Sequence, residues 1–411
     1  MYVVLKNLLF LAGALLNSLI VRYCRLPLPL SLITSMHGTR KLNFGAGPAA
    51  LPVTVLSQFS KDLIDFKGSG VGVGEISHRT ALFEEDILGE ANAMVLKLSG
   101  YEKEGWRVLW MTGGGTGQFA AVPMNFWGNE GVGVYLVTGT WSEKAAEEAK
   151  KILGPERVKV IDMRVEIENV RGLNTGDIDI DTSSRVMYVY YCDNETVDGI
   201  ELPHSNYFQS KLNHLDTVFI ADTSSNFMSR PFPDPRGPTG IIFAGVQKNL
   251  GAAGVTIVMV KESLLGTLMP ARFCPSVLDY KVTAKNNSLL NTPPVISIHL
   301  CGLVLKDLIR RFNGDLGRID EFSKLKSQAL YEAIERSGKF YSPIAKEFRS
   351  RMNVIFKPVN GDESVEKEFL KRAEAGGMIQ LKGHRSVGGL RASLYNAVEM
   401  DAVHELIKLI F

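Results

Sequence analysis

Short apolar, β-branched runs alternate with helical patterns from residue 107 onward, and this alternation constrains the fold more than any other feature of the sequence. Few polar residues interrupt the candidate strands, which is typical of strands covered on both faces of a parallel sheet. A helical pattern at 141–151, rich in Ala, Glu and Lys, follows the second strand. The sequence therefore predicts an α/β fold with a mainly parallel sheet covered by helices. The candidate strands are 108–111, 134–137, 186–191, 218–221, 241–244 and 255–260.

The pattern changes after residue 260, where Thr292-Pro293-Pro294 interrupts the chain and longer helical patterns follow. The second of these, at 319–336, carries an apolar stripe on one face. We therefore expect a large domain at 42–304 and a smaller α+β domain at 305–411. The elements of the smaller domain are predicted as helices at 297–312, 319–336, 364–375 and from residue 399, with strands at 352–356 and 390–394.

Residues 1–41 form a leader with five basic residues and no acidic one. Its apolar run, 8–21, is short for a membrane span and closer to the core of a signal peptide. Basic, acid-free leaders also occur in organelle transit peptides. A third interpretation is that Met36 is the start and that the leader is not part of the mature protein. Targeting, anchoring and a later start all stay open.

Charge and cysteine usage exclude several functional classes. The formal net charge is +2 and the leader holds five basic residues, so the rest of the chain is slightly acidic and is not expected to bind nucleic acid. The seven histidines include no HExxH motif, and we predict no metal site. The cysteines lie far apart without a CxxC pattern, which favours free thiols in a reducing compartment. They are Cys24, Cys192, Cys274 and Cys301.

Lys248 is the single charged residue in the apolar stretch FAGVQKNLGAAGVTIVMV, 243–260. One interpretation is a structural lysine whose stem leads its amine to water, and the other is a nucleophile in a dry pocket that lowers its pKa. Asp222 ends the strand TVFIAD 26 residues earlier, a spacing that suits adjacent strands. Pyridoxal phosphate requires this pair, because the amine bonds to its aldehyde and the acid keeps its ring nitrogen protonated. A buried ion pair is the alternative.

A glycine-rich turn leads from a strand directly into a helix in MTGGGTGQFAAVP, 111–123. Free amides at a helix N-terminus bind phosphate. The turn lacks both the GxxxxGK[ST] and the GxGxxG patterns of nucleotide-binding loops. It therefore predicts a phosphate site of another kind, which suits the phosphate of the same cofactor.

Two further residues follow strands. Trp141 opens a helix in VTGTWSEKAAEEAK, where its indole stacks on a planar ring or packs into the core. Thr196 lies in a polar turn in YCDNETVDGI. The same turn contains an Asn194-Glu195-Thr196 glycosylation sequon, and a glycan there would block a cleft at the strand ends, which argues against a secreted protein.

The chain contains, in this order, EISHR, GGGTGQFAAVPMN, TGTWSEKAAEEAKK, YYCDNETVDGI, GIIFAGVQKNLGAAGVTIV, NTPP and LKGHRSVGGLRASLYNA. From about residue 43 to the C-terminus it resembles the phosphoserine aminotransferases. The resemblance implies a homodimeric pyridoxal-phosphate enzyme with the aspartate aminotransferase fold. It also implies conversion of 3-phosphohydroxypyruvate and glutamate into phosphoserine and 2-oxoglutarate, with both substrates as small-molecule partners.

The resemblance assigns cofactor-binding roles to residues at matching positions. Lys248 bonds covalently to the cofactor, Asp222 pairs with its ring nitrogen, Trp141 stacks on the ring and Thr196 contacts the phenolic oxygen. The phosphate-binding positions match Gly115, Thr116 and Gln247, together with Asn291 and Thr292, which reach the phosphate from the other subunit of a dimer with shared sites.

A cluster of basic residues matches the substrate-anion site of the resembled family: His78, Arg79, His384, Arg385 and Arg391. Each of these arginines, taken alone, is as consistent with a surface ion pair as with substrate binding. Both substrates are dianions, however, and guanidinium groups bind carboxylate and phosphate in a bidentate way.

Two positions depart from some members of the family. Thr116 stands where they have an arginine, which leaves this phosphate contact to the backbone and a hydroxyl. Ala46 stands where they have a serine, which puts a side-chain contact to substrate in doubt.

Two alternatives remain beside an aminotransferase. A related pyridoxal-phosphate lyase or desulfurase needs a reactive cysteine on a loop, for which Cys274 is the candidate. A membrane-tethered or non-catalytic homologue is suggested only by the leader. We expect a cytoplasmic protein, with membrane contact or organelle targeting only through a retained leader.

Overall fold

The computed structural model describes residues 40–411, so the interpretations of the leader lie outside the described residues. The strands are β1 (Leu42–Asn43), β2 (Trp106–Met111), β3 (Val132–Val137), β4 (Val158–Asp162), β5 (Arg164–Ile167), β6 (Val170–Leu173), β7 (Val186–Cys192), β8 (Asn194–Glu195), β9 (Ile200–Glu201), β10 (Val218–Asp222), β11 (Thr239–Gly245), β12 (Thr256–Lys261), β13 (Phe340–Tyr341), β14 (Asn353–Pro358), β15 (Met378–Ile379) and β16 (Leu390–Ser393). The α-helices of at least five residues are α1 (Val53–Asp62), α2 (Glu90–Ser99), α3 (Gly114–Asn125), α4 (Thr140–Leu153), α5 (Tyr207–Lys211), α6 (Glu262–Thr267), α7 (Tyr280–Lys285), α8 (Val295–Phe312), α9 (Leu316–Ser337), α10 (Glu363–Ala375) and α11 (Met400–Ile410).

A seven-stranded sheet runs through the larger part of the described chain in the order β2-β12-β11-β10-β7-β3-β4. Strands β11, β10, β7, β3 and β4 are parallel to one another, whereas β12 is antiparallel to both β11 and β2. The predicted mainly parallel sheet is therefore confirmed. Strand β4 was not predicted, because it lies at the edge, where Lys159 and Asp162 interrupt its apolar residues.

Burial on both faces explains why the central strands read as continuous apolar runs. Every residue of β3 and of β7 is buried. Val134 and Leu136 pack into one apolar cluster, while Tyr135 and Val137 pack into another, as the alternation of side chains along a strand requires. The sheet therefore separates two apolar layers. Polar side chains lie at the ends of its strands and on its edge strand β4.

The C-terminal elements that the sequence predicts are present within a few residues of the expected bounds: α8, α9, β14, α10, β16 and α11. Strands β13, β14 and β16 form an antiparallel sheet with its own apolar cluster. Phe44 packs into the same cluster, and β1 pairs in parallel with β15. The two-residue strand β1 was too short to predict. The division of the chain into domains at residue 304 stays a prediction.

Within residues 40–411, none of the helices combines the length and the hydropathy that crossing a bilayer requires.

Candidate active site

The carboxyl ends of the parallel strands bring Asp222 and Lys248 to one edge of the sheet. Asp222 is the last residue of β10 and pairs with Phe243 of the parallel strand β11. Lys248 follows the end of β11 in a tight turn, in which Val246 accepts the backbone N–H of Leu250. Ligands of open α/β sheets bind at this edge. The site thus lies where the fold predicts it.

Lys248 is half-buried, and its amine is held by a neighbouring hydroxyl. Its Nζ donates to Oγ1 of Thr196 at 2.7 Å. Burial lowers its pKa, and the nearby carboxylate of Asp222 opposes this shift without removing it. Among residues 40–411, no carboxylate lies within ion-pair distance of this amine, so the structure does not show the buried ion pair that was the alternative. A lowered pKa favours the neutral, nucleophilic amine.

Asp222 is buried, with 3% of its surface exposed. One carboxylate oxygen accepts the backbone N–H of Ser224 at 2.9 Å, and the other accepts the hydroxyl of Tyr190 at 3.4 Å. Burial raises the pKa of Asp222, whereas the hydrogen bonds from Ser224 and the charge of Lys248 oppose the rise. A cation close to the buried carboxylate, such as a protonated ring nitrogen, would stabilise its charged form.

Trp141 opens α4 directly after the turn that follows β3. Its indole ring lies 5.6 Å from the Lys248 amine, and the Lys144 amine lies 4.6 Å from the same ring. The indole Nε1 is buried and has no hydrogen-bond partner among the described residues. The ring packs partly against an apolar layer and lies near the lysine, and its stacking on a planar cofactor ring stays a prediction.

The glycine-rich turn brings the N-terminus of α3 to Asp222. Gly113 and Gly114 have φ angles of 100° and 66°, which favour glycine. A Cβ added at Gly115 would lie 3.4 Å from Oγ of Ser224 and 3.9 Å from Oδ2 of Asp222. The first N–H groups of a helix have no acceptor within it and attract anions. Thr116 is exposed in the first turn of α3, where its hydroxyl and backbone are available to a phosphate.

The loop before α1 covers the stem of Lys248. A Cβ added at Gly47 would lie 3.3 Å from Cγ of Lys248 and 3.6 Å from Cγ of Gln247. The Gln247 carbonyl accepts the N–H of Ala49 at 2.9 Å. Ala46 belongs to the same loop, and its carbonyl accepts the hydroxyl of Tyr395 at 2.9 Å. Position 46 therefore contributes through its backbone.

Arg391 joins the cluster from the C-terminal sheet. Its guanidinium donates to the Thr196 carbonyl at 3.2 Å, while its Nε is buried without a partner among the described residues. Burial lowers the pKa of Arg391. Burial also lowers the pKa of His384, and the charges of Arg391, Arg385 and Lys144 lower it further. Arg391, Arg385 and Lys144 are thus close enough to form a cationic cluster around His384, and Arg391 connects this cluster to Thr196.

Four predicted residues do not join this cluster within one chain. His78 and Arg79 lie in a turn whose hydrogen bonds are local, with Ser77 as acceptor of the Arg79 N–H. Asn291 and Thr292 are exposed at the surface. Among residues 40–411, no hydrogen bond or ion pair links any of the four to Lys248, and Asn291 donates only to the Thr292 carbonyl.

Two residues of the site escaped the sequence analysis. Glu195 and Asp198 flank Thr196 in the turn DNETVDG, and both accept N–H groups from the start of α4. The available signal was a pair of acidic residues in a turn next to buried strands, where a carboxylate needs donors.

The described residues fit pyridoxal phosphate. The amine of Lys248 and the carboxylate of Asp222 meet the needs of its aldehyde and ring nitrogen. The indole of Trp141, whose Nε1 has no partner among residues 40–411, lies beside the lysine, and the N-terminus of α3 lies next to Asp222, where a helix start attracts a phosphate. Among residues 40–411, no group of three or more His, Cys, Asp or Glu side chains is arranged to hold a metal ion.

Comparison with known proteins agrees with the geometry. The model of the class-V aminotransferase family matches residues 41–406. A phosphoserine aminotransferase of Drosophila melanogaster is 42% identical over 371 residues, which are 90% of this chain and 97% of that protein. One from Aromatoleum aromaticum is 40% identical over 371 residues, again 90% and 97% of the two chains. The chloroplastic phosphoserine aminotransferase 2 of Arabidopsis thaliana is 41% identical over 369 residues, 90% of this chain and 83% of that protein.

Solved structures give the same result. The pyridoxal-phosphate-bound phosphoserine aminotransferase of Trichomonas vaginalis superposes with a TM-score of 0.78 and 34% identity, covering 90% of this chain and 99% of that one. The enzyme of Bacillus circulans subsp. alkalophilus gives a TM-score of 0.77 and 34% identity, covering 90% and 97%. The chain therefore belongs to the class-V aminotransferase family, among the phosphoserine aminotransferases, which use pyridoxal phosphate.

Proposed function

We propose that the protein transfers the amino group of glutamate to 3-phosphohydroxypyruvate, forming O-phosphoserine and 2-oxoglutarate for serine biosynthesis. The observation that carries the proposal is the contact of both Lys248 and Arg391 with Thr196, which sets a buried amine beside a cationic cluster. Thr196 thus contacts both the lysine amine, which serves the chemistry, and an arginine, which serves to bind an anionic substrate. Both substrates, glutamate and 3-phosphohydroxypyruvate, carry two anionic groups. Guanidinium groups bind carboxylate and phosphate well.

Bound pyridoxal phosphate supplies the electron sink that makes the α-proton of an amino acid removable. The Lys248 amine takes this proton and returns it, a role that its lowered pKa favours. Asp222 holds positive charge at the ring nitrogen, Trp141 holds the ring from one face, and the N-terminus of α3 holds the phosphate.

Substrate binding is assigned to the cationic groups. Arg391, half-buried next to Thr196, holds the α-carboxylate. His384 and Arg385 hold the distal carboxylate or phosphate. The resemblance assigns His78 and Arg79 to the same anion, although they do not meet this cluster within one chain. One site then accepts both substrates in turn, because the distal group is an anion in each.

The alternative of a desulfurase or lyase is not supported by Cys274. Burial, with a contribution from Asp279, raises the pKa of its thiol to about 11. Little thiolate is therefore present at neutral pH, and the thiolate is the reactive form.

The test of the function follows product formation by the purified holoprotein. Glutamate with 3-phosphohydroxypyruvate should give 2-oxoglutarate and phosphoserine, whereas glutamate with pyruvate, which lacks the distal anion, should react far more slowly. Release of sulfide or elimination products from cysteine or phosphoserine, without 2-oxoglutarate, would refute the proposal.

We also propose a homodimer in which Asn291 and Thr292 of the partner subunit complete each phosphate site. Mixing Lys248→Ala subunits with subunits that carry Asn291→Ala and Thr292→Ala should restore activity to about a quarter of wild type. Half of the dimers in an equal, random mixture are mixed, and each of these has one intact site of two. Activity after subunit exchange measures the recovery.

The control for subunit mixing is Lys248→Ala with Asp222→Asn. Both changes lie in the half of the site that one chain provides, so no intact site forms in a mixed dimer. No recovery in the first mixture, despite proven subunit exchange, would contradict shared sites.

A chain that starts at Met36 is expected to equal the 1–411 chain in cofactor content and turnover. The class-V family match begins at residue 41, and a 36–411 chain keeps β1. A 45–411 chain serves as the control, because it lacks β1 and Phe44 and should lose stability. Absorbance of the bound cofactor, activity and partition between soluble and membrane fractions compare the three chains. If 36–411 fails to fold or to hold the cofactor, the leader belongs to the catalytic body.

We propose a cytoplasmic location for the 36–411 form. A retained leader would act in targeting or anchoring, and the fractionation above separates these roles.

A further inference from the structure

We infer that Glu195 is a positioning residue that couples the two groups around the Lys248 amine, the ring of Trp141 and the hydroxyl of Thr196. The inference rests on the proposed function, because it assigns Glu195 a role in holding the cofactor site. Its evidence is a set of hydrogen bonds that connects the end of β8 and the turn after it to the start of α4.

The carboxylate of Glu195 is buried and surrounded by donors. One oxygen accepts the backbone N–H of Trp141 at 2.8 Å. The other accepts the backbone N–H of Ser142 at 2.9 Å and its hydroxyl at 2.6 Å. Thr138 donates its hydroxyl to the same oxygen at 3.4 Å. Glu195 therefore binds Trp141 directly and also binds the next residue, Ser142, and Thr138 in the turn before the helix.

Asp198 completes the contact by accepting the backbone N–H of Thr140 at 2.8 Å. Three successive N–H groups at the start of α4 are thus bound by two carboxylates. Helix caps usually come from the residue just before the helix. Here they come from a different turn, the one that contains Thr196. The cap therefore fixes the distance between Trp141 and Thr196, which both lie beside the Lys248 amine.

Gly139 shows how closely the two segments approach. A Cβ at this position would lie 2.6 Å from Cγ of Glu195 and 2.6 Å from Oδ2 of Asp198. A side chain does not fit between the start of α4 and the carboxylates. The close approach allows the two acids to reach the helix amides directly.

The surroundings of Glu195 act on its charge in opposite directions. Burial, with the charge of Asp198, raises its pKa to about 7, and the hydrogen bonds from Ser142 and Trp141 oppose the rise. A buried carboxylate is costly unless donors compensate for lost water. A neutral side chain of the same shape would accept fewer of these N–H groups.

The test is the affinity of the apoprotein for pyridoxal phosphate. Glu195→Gln keeps the shape but places an amide NH₂ against backbone donors, so the dissociation constant of the cofactor should rise about tenfold. The fraction of tryptophan fluorescence that the cofactor quenches should fall, with Trp141→Phe defining the share due to Trp141. Turnover at saturating cofactor should fall as well.

Glu143→Gln is the matched control. Glu143 lies in the first turn of the same helix, so the change removes the same charge near the same helix end. Its carboxylate is exposed and pairs with Arg164. We expect less than a twofold change in cofactor affinity, since the effect of an exposed charge is small.

Circular dichroism checks the fold of each apoprotein. If Glu195→Gln does not fold, Ser142→Ala carries the test, because it removes one donor of the same network and should weaken cofactor binding and quenching in the same direction by about threefold. Unchanged affinity and quenching in a folded Glu195→Gln or Ser142→Ala protein overturns the inference. An equal loss of cofactor affinity in Glu143→Gln and Glu195→Gln also overturns it, because the effect would then come from the charge at the helix end. Failure of the proposed reaction would appear separately, as a wild-type holoprotein without transfer from glutamate.

Discussion

The Lys248→Ala variant is expected to lose turnover by at least about 10⁴-fold and still to bind pyridoxal phosphate non-covalently. Proton transfer by a positioned side chain contributes about 10²–10⁴-fold, and the covalent bond to the cofactor is lost as well. Cofactor binding persists because α3, Trp141 and Asp222 are unchanged. Steady-state turnover and the absorbance of the bound cofactor measure the two effects.

Two controls accompany this variant. Lys151→Ala removes an exposed lysine that pairs with Glu148, and its turnover should equal that of the wild type. Borohydride reduction of the wild-type holoprotein should make the bond to the cofactor permanent, so that mass spectrometry finds the label on Lys248. Labelling of another lysine, such as Lys144 above the Trp141 ring, would contradict the assignment.

The Asp222→Asn variant is expected to keep the cofactor and to lose turnover by about 10³-fold, as when one preorganised electrostatic contact to the reacting group is removed. An amide does not stabilise positive charge at the ring nitrogen. The side-chain oxygen of asparagine still accepts the N–H of Ser224, which limits damage to the fold. Turnover and the amount of cofactor per chain give the readout.

Asp162→Asn is the matched control for this change. Asp162 ends β4, a parallel strand of the same sheet, but it is exposed and pairs with Arg164. Its loss should leave turnover within about twofold of wild type. Near-normal activity of Asp222→Asn would refute its role at the ring nitrogen.

The fold was predictable where burial leaves a simple pattern. Strands such as β3 and β7 are buried on both faces, so apolar residues alone mark them. Strand β4 has one solvated edge, and β1 has two residues and depends on β15. Neither carries a local signal, because their pairing is decided by distant parts of the chain.

The site was predictable to a similar extent. Lys248 and Asp222 follow neighbouring strands, and such placement can be derived from the order of the strands. Glu195 was missed because its donors lie at the start of α4, more than 50 residues earlier, and the acidic turn indicates a need for donors without showing where they are. The residues proposed to act across a dimer, such as Asn291, cannot be brought to Lys248 by one chain.

The pairing of β1 with β15 also determines when this protein can finish folding. A nascent chain extends by about 5–20 residues per second, so Leu42 waits on the order of 20 to 70 s for Met378 to be made. The strands of the central sheet end at Lys261 and are complete well before that. During the interval Phe44, buried in the finished protein, has no core to enter. A chain terminated before Met378 would thus leave Phe44 exposed and β1 unpaired, open to chaperones and proteases.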